Sequence, residues 1–153
     1  MSYEQLKLKS QLCFPLYAAS RKIIRLYKPL LDPLGITYTQ YLVLLVLWEK
    51  DEQYVNDIGE KLILDSGTLT PLLKKLQAAG LIERKRSKSD ERNVMISLTD
   101  KGRELEEKTK GVPAQIGVCL TLPKDKLGHL YNLLYDFIDM ETPEENCEEK
   151  EGE

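Results

Sequence analysis

Cys13, in the run Gln11-Leu12-Cys13-Phe14-Pro15-Leu16-Tyr17, is the residue of this chain best placed to do chemistry on its own account. The thiolate is the reactive form of cysteine, and a helix N-terminus favours it. Pro15 interrupts the apolar helical pattern beside Cys13 and is expected to kink that helix or restart it just after the thiol. Tyr17, Tyr27, Tyr38 and Tyr41 lie close by in sequence, and the chain has eight tyrosines against two phenylalanines. A phenol can donate a hydrogen bond to a thiolate and so stabilise it. The competing reading is that a lone helical cysteine is a small core hydrophobe and each tyrosine a half-buried packing residue. The residues alone leave both readings open. Cys119 sits in an apolar segment, Ile116 to Leu122, and reads as core first and as a resolving thiol second. Cys147 lies among carboxylates and is a poor nucleophile. One histidine, His129, and scattered cysteines form no metal-ligand cluster, and no cofactor is called for.

A second constellation runs from Asp65 to Arg92. Leu69, Leu72, Leu73 and Leu76 form the apolar stripe of a short helix, which leaves Ser66, Thr68, Thr70, Lys74 and Lys75 outside it. Short hydroxyls can approach base edges and lysines can neutralise phosphates. Gly80 stops the helix, and a basic hairpin with Arg84, Arg86, Lys88 and Arg92 follows. Arginine at a hairpin tip can enter a narrow minor groove. Asp90 either orients an arginine through a charge-assisted bond or is an ordinary turn former. A solvated amphipathic helix is the bland alternative for the helix alone. The glycine stop and the basic hairpin together favour a recognition helix followed by a wing.

The elements that must position these groups are readable from periodicity and caps. Residues 4–32 favour helix. Thr37 and Gln40 form a capping box ahead of an almost wholly apolar run, Tyr41 to Trp48, expected as a buried core helix. Val55 to Leu62 is a short helix and Ile63-Leu64-Asp65 a tight turn. Asp65 or Ser66 caps the next helix, which runs to about Ala79. Leu81 to Lys85 and Asn93 to Leu98 alternate like strands, joined by the link Arg86 to Arg92. Thr99 caps a helix to about Lys110. Gly111, Pro113 and Gly117 are expected to weaken helix over 111–117, and Pro123 opens a last helix with Leu127, Leu130, Leu133, Leu134, Phe137 and Ile138 on its apolar face. The expected order is three helices, a recognition-type helix, a hairpin and two helices. This is a mostly α winged helix-turn-helix with a small β-hairpin wing. It divides into an N-terminal helix with the thiol (4–36), a DNA-binding core (37–99), C-terminal helices (100–140) and an acidic, disordered tail (141–153). The terminal arms are amphipathic and need a partner. The simplest is the same arms of a second subunit in a two-fold dimer, which also suits a palindromic DNA site.

A net charge of −3 over 153 residues looks wrong for a DNA binder until its distribution is considered. Residues 139–153 hold eight acidic residues against Lys150, a net of −7, while residues 74–92 hold seven bases against three acids, a net of +4. No run of about 18 apolar residues exists, so no membrane span is expected. The N-terminus lacks an apolar region of the secretory kind, and an odd number of cysteines then points to reduced thiols in the cytoplasm.

With these residues in view, the chain resembles the MarR family of bacterial regulators over roughly residues 4–140. The run Leu64-Asp65-Ser66-Gly67-Thr68-Leu69-Thr70-Pro71-Leu72-Leu73-Lys74-Lys75-Leu76 and the segment Asp90-Glu91-Arg92-Asn93 are similar to the family's recognition helix and wing Asp-x-Arg. Gln11-Leu12-Cys13-Phe14 with Leu16-Tyr17 resembles the thiol-based OhrR/SarZ-like branch. The resemblance implies a peroxide-sensing thiol at Cys13, hydrogen-bonded by Tyr27 and Tyr38 of the other subunit. It also implies disulfide formation with Cys119 or with a low-molecular-weight thiol. It adds Pro71 to the DNA-facing residues. The expected protein is therefore a homodimeric repressor, not an enzyme. It binds a palindromic operator in double-stranded DNA while Cys13 is reduced and releases it on oxidation by organic hydroperoxide. The alternatives are a regulator of the same family gated by a small aromatic or lipophilic ligand with Cys13 structural, and, more distantly, a thiol-dependent peroxidase.

Overall fold

The Thr37 box opens its helix as the sequence predicts. In the computed structural model, which describes residues 3–86 and 94–140, the Thr37 hydroxyl accepts from the Gln40 N–H at 3.3 Å and the Gln40 side-chain oxygen accepts from the Thr37 N–H at 2.8 Å. Two donors that the first helical turn would leave orphaned are thus satisfied reciprocally. The helix that follows, Tyr38–Glu49, is apolar nearly all round, and Val43, Leu44 and Leu47 are completely buried. A helix of that kind has to be a core helix. Among the described residues no single helix is long and apolar enough to cross a membrane.

Seven α-helices and three strands are present among the described residues: α1 (Cys13–Leu31), α2 (Tyr38–Glu49), β1 (Gln53–Tyr54), α3 (Val55–Leu62), α4 (Ser66–Ala78), β2 (Ile82–Arg86), β3 (Val94–Leu98), α5 (Asp100–Thr109), α6 (Val112–Cys119) and α7 (Lys124–Ile138). The chain divides into two compact units, Met1–Cys119 and Leu120–Glu153. In the first, α2 packs on α1, α3, α4 and α5, and α1 also packs on α6. The core comprises Leu31, Leu44 and Leu47 with Ile58, Leu69, Leu73, Leu76, Ile82 and Ile96, each under 2 % exposed. The second unit is represented by α7. Its apolar side chains Leu130, Leu133, Phe137 and Ile138 are exposed, and Tyr131 and Tyr135 pair at 4.7 Å between ring centroids.

Three expectations are corrected. The N-terminal helix does not span 4–32. Glu4–Leu6 and Leu8–Ser10 form 3-10 turns, and α1 begins at Cys13 itself. Pro15 therefore occupies the third helical position, where its missing N–H would have had no partner, and it neither kinks nor restarts the helix. The segment 111–117 is helical: Pro113 is the second residue of α6, which is tolerated for the same reason, and Val112 and Ile116 bury one side of it. Three helices, not two, thus follow the wing. The sheet also has a third strand. β1 pairs with β3 through Gln53 opposite Ile96 and Tyr54 opposite Met95, giving the order β1-β3-β2. The hairpin strands sit within one residue of their expected ends, with Ile82 opposite Leu98 and Arg86 opposite Val94. The link 87–93 and the tail 141–153 lie outside the described residues.

The close approach that fixes the fold's second half is at Gly102, in the first turn of α5. A Cβ built there would stand 2.1 Å from the Leu81 carbonyl oxygen. Gly102→Ala should therefore destabilise the protein by about 1–3 kcal/mol, the usual range for overpacking. Gly128→Ala, in α7 with nothing within 4 Å of its added methyl, should be neutral or stabilise by roughly 0.5–1 kcal/mol through helix propensity. Urea unfolding of the two variants beside the parent protein checks both signs.

Candidate nucleic-acid interface and thiol site

Asp65 caps α4 from the residue before it. Its carboxylate accepts the Thr68 N–H at 2.8 Å and the Thr68 hydroxyl at 2.8 Å, and these two bonds, the hydroxyl's foremost, hold its carboxyl below the usual range. Thr68 thus uses its proton in the cap and retains only acceptor capacity. The preceding turn is tight: Ile63, 68 % exposed, takes a left-handed conformation at φ 54°, unusual for a β-branched residue. Leu69, Leu73 and Leu76 are buried and Leu72 half-buried, as the stripe requires. Ser66, Thr68, Pro71, Lys74 and Lys75 are exposed and Thr70 is half-buried. Gly80 at φ 71° ends the helix, with the Leu81 N–H returning to the Leu76 carbonyl at 3.1 Å. α3 and α4 are then the two helices of a helix-turn-helix, with a hydroxyl- and lysine-bearing face left to solvent.

The N-terminus of α5 joins the recognition helix to the wing. The Thr99 hydroxyl donates to the Gly80 carbonyl and the Lys101 ammonium to the Ala79 carbonyl, both at 2.7 Å, which satisfies acceptors at the end of α4. Asp51, after α2, accepts the Leu98 N–H at 2.9 Å, the Glu52 N–H at 2.8 Å and the Arg103 guanidinium at 2.7 Å. Burial opposes its charge, but the two backbone bonds and Arg103 outweigh it and leave the Asp51 carboxyl below the usual range. Arg84 is half-buried in β2 opposite Ile96. Arg86 ends that strand. Lys88, Asp90 and Arg92 lie outside the described residues.

The thiol site is split along α1. Cys13 is the first residue of that helix and is exposed, so the core reading of it fails. Leu12 supplies no side-chain cap, which leaves the positive end of the helix dipole at the sulfur's own turn. Tyr17, one turn on, accepts a hydrogen bond from Arg21 at 2.7 Å, with the guanidinium 5.5 Å from its ring. Its own phenolic proton stays available. Cys13, Tyr17 and Arg21 share one face at spacings of four. Tyr27 and Tyr38 do come together, at 4.7 Å between centroids, with Tyr41 at 5.9 Å from Tyr27. Burial first, then the neighbouring phenols for Tyr38 and Tyr41, raises all three above the ordinary tyrosine value, so they remain donors. That pair is far from the thiol of its own chain, because the rise of ~1.5 Å per residue puts Tyr27 about 21 Å along the axis from Cys13. Cys119, at the last position of α6, is exposed rather than core.

A recognition helix, a basic wing and a helix-turn-helix on a helical scaffold define a winged-helix DNA-binding regulator. A family described as "Transcriptional regulator SarA/Rot" matches residues 25–109. The organic hydroperoxide resistance transcriptional regulator of Bacillus subtilis (strain 168) is 51% identical over 140 residues, covering 90% of this chain and 93% of that protein. A structure of reduced AbfR bound to DNA superposes with a TM-score of 0.73 at 42% identity, covering 88% of this chain and 94% of that one. Disulfide-formed AbfR superposes with a TM-score of 0.62 at 43% identity, covering 89% and 96%. The chain belongs to the SarA/Rot family of MarR-like winged-helix transcriptional regulators, which are not enzymes.

Asp51 joins α2, β3 and α5, and Asp51→Asn should cost about 1–3 kcal/mol at pH 7 by weakening charge-assisted bonds. Its folded-state pKa is depressed, so this contribution is complete above the unfolded value of about 3.9 and is lost as pH falls through the folded value. Urea unfolding at pH 7 and in acid should show the gap between variant and parent narrowing as pH falls.

Proposed function

We propose that this protein is a homodimeric, redox-sensing transcriptional regulator of the cytoplasm that holds a palindromic operator while Cys13 is reduced and releases it when organic hydroperoxide oxidises Cys13. The observation that carries the reading is the split thiol site, in a chain half identical to a hydroperoxide resistance regulator. Cys13 is exposed at one end of α1 and the paired donors Tyr27 and Tyr38 are at the other. Two α1 helices related by a two-fold axis and running antiparallel would bring each thiol to the partner's tyrosines. The exposed Phe14, Tyr17, Ile23 and Ile24 of α1 supply apolar surface for that pairing. The arms, residues 4–36 and 100–140, then form the dimer, and residues 37–99 read DNA through Ser66, Thr70, Pro71, Lys74, Lys75 and the wing.

In the chemical step the Cys13 thiolate attacks the terminal peroxide oxygen. The O–O bond breaks, an S–O bond forms, and the alkoxide leaves and takes up a proton as an alcohol. Cys13 is oxidised to a sulfenic acid and the hydroperoxide reduced. A second thiol, Cys119 or a low-molecular-weight one, then attacks that sulfur, giving a disulfide and water, and external thiols reset it by exchange. A sulfenic or disulfide sulfur is no longer an anionic acceptor, so the tyrosine bonds weaken and the arms shift the spacing of the two reading heads. Under the second reading, a small aromatic or lipophilic ligand, the candidate place is an open groove where Tyr41, Leu45, Trp48 and Pro113 face Glu49, Glu106, Thr109 and Lys110.

Operator binding measured by anisotropy, with mass spectrometry of each cysteine, tests the proposal. Cys13→Ser should bind the operator and keep it after hydroperoxide. Tyr27→Phe and Tyr38→Phe should fold, bind and respond more weakly. Release that persists in Cys13→Ser would remove the thiol mechanism and leave the ligand-gated one.

Lys74→Ala or Lys75→Ala should make the dependence of log affinity on log salt shallower. The slope falls by about 0.9 for every phosphate the side chain no longer neutralises, counted twice in a symmetric dimer. Arg92→Ala should cost roughly 1–3 kcal/mol per half-site if its side chain reads the groove. An unchanged affinity would strike the residue from the interface.

A further inference from the structure

α2 carries an aromatic edge beside its aliphatic core surface. Tyr38, Tyr41 and Trp48 fall at spacings of three and seven, on one side of the helix. Tyr27 of α1 joins them, so the rings run in sequence: Tyr38 to Tyr27 at 4.7 Å, Tyr27 to Tyr41 at 5.9 Å, and Tyr41 to Trp48 at 6.1 Å in an edge-on arrangement. The run ends in a directional bond. The Trp48 indole N–H donates to the Gly102 carbonyl at 3.0 Å, across 54 positions of sequence. Gly102 is the residue that lies against the Leu81 backbone. Leu81 follows the stop of α4 and precedes β2, and its carbonyl also accepts the Thr99 N–H at 3.1 Å. An unbroken run of packed groups therefore leads from the tyrosine pair to the point where recognition helix and wing meet.

We infer that Trp48 is a positioning residue that couples the Tyr27–Tyr38 pair to the DNA-reading elements through its bond to Gly102. This rests on the thiol-switch reading above and assigns how that switch reaches the wing. Displacement is passed along the run where a ring is packed, as at the buried Tyr41, and the half-buried Trp48 passes it on through its hydrogen bond. A phenylalanine at position 48 would preserve an aromatic ring against Tyr41 but would lose the one link that is directional. The carbonyl of the buried Gly102 would keep its bond within α5 but lose its donor from α2, and movement of the rings would no longer be passed to α5 by a directional bond. The chain has a single tryptophan, so Trp48 also reports on its own surroundings.

The experiment compares the homodimer as parent protein, Trp48→Phe and Cys13→Ser, each titrated with operator DNA before and after stoichiometric cumene hydroperoxide, with mass spectrometry of Cys13. Trp48→Phe should oxidise at Cys13 as the parent does and keep reduced-state affinity within about tenfold. Its ratio of reduced to oxidised affinity should nevertheless collapse by about tenfold or more, within the usual span of coupling between sites. A merely structural role would lower both affinities together and leave the ratio unchanged, which would overturn the inference. So would failure of Cys13 to oxidise in the variant, since Trp48 would then act on the thiol. If Trp48→Phe does not fold, the parent's tryptophan emission decides. It should shift on oxidation and stay constant in Cys13→Ser, and an unshifted emission in a parent that has released DNA overturns the inference. A parent that keeps its operator after Cys13 oxidation removes the thiol reading and this inference with it.

Discussion

A straight helix cannot bring its own two ends together, and that constraint organises the rest of this molecule. Cys13 and Tyr27 belong to the same α1, separated by about 21 Å at ~1.5 Å rise per residue. The thiol therefore cannot meet Tyr27 or Tyr38 of its own chain by any side-chain rearrangement. On the proposed two-chain arrangement, the separation becomes the means by which sensing depends on the dimer. Each thiol completes its site with the partner's donors, and the two sites lie on either side of the symmetry axis. A change at either sulfur then acts on the relation between subunits, which is also what a palindromic operator measures.

The reading head is built so that such a change can reach it without loss of form. The N-terminus of α5 serves as a strut: Thr99 and Lys101 hold the end of α4, Arg103 holds Asp51, and Gly102 lies against Leu81. Recognition helix and wing base are fastened to one element, so they move together if they move. Electrostatics then supplies affinity where the head is. The chain is acidic overall, at −3, yet its bases concentrate at 74–92. Phosphate attraction is local under physiological salt, where charges more than about 8 Å apart are largely screened, so the local sign outweighs the total.

Most of the head was legible in the sequence because helix ends are local chemistry. The Thr37–Gln40 box, the Asp65 and Thr99 caps and the Gly80 stop each require only residues within one turn, and each is observed as read. The misreadings have the same root. Gly111, Pro113 and Gly117 carry weak helix propensity, and the burial of Val112 and Ile116 overrides it. β1 is two residues long and carries no periodic signal. The Asp51–Arg103 and Trp48–Gly102 links join positions more than fifty apart, and nothing at either end marks its partner. For the thiol, the sequence supplied the residue types and the structure supplied the exposure of Cys13 and Cys119. The pairing of Tyr27 with Tyr38 is likewise tertiary, since one lies a turn before the end of α1 and the other opens α2.

Whether chemistry on one sulfur can move an entire regulator is a question of magnitude. Shifting a two-state equilibrium from 1:99 to 99:1 takes about 5.5 kcal/mol. A hydrogen bond to a charged group contributes roughly 1.5–3 kcal/mol. On the proposed two-chain arrangement, two phenol donors on each thiolate, at two sites in a dimer, would place roughly 6–12 kcal/mol at stake. The sulfenic acid or disulfide retains some of it through weaker neutral bonds, so the usable difference is smaller but of the required order. The raised tyrosine values matter here. A phenolate beside an anionic sulfur would turn attraction into repulsion, and burial, joined for Tyr38 by Tyr27, moves the ionisation of both phenols further above neutral pH. Both side chains are half-buried and ring against ring, so on the proposed arrangement a change at the partner's sulfur would be felt by what they touch.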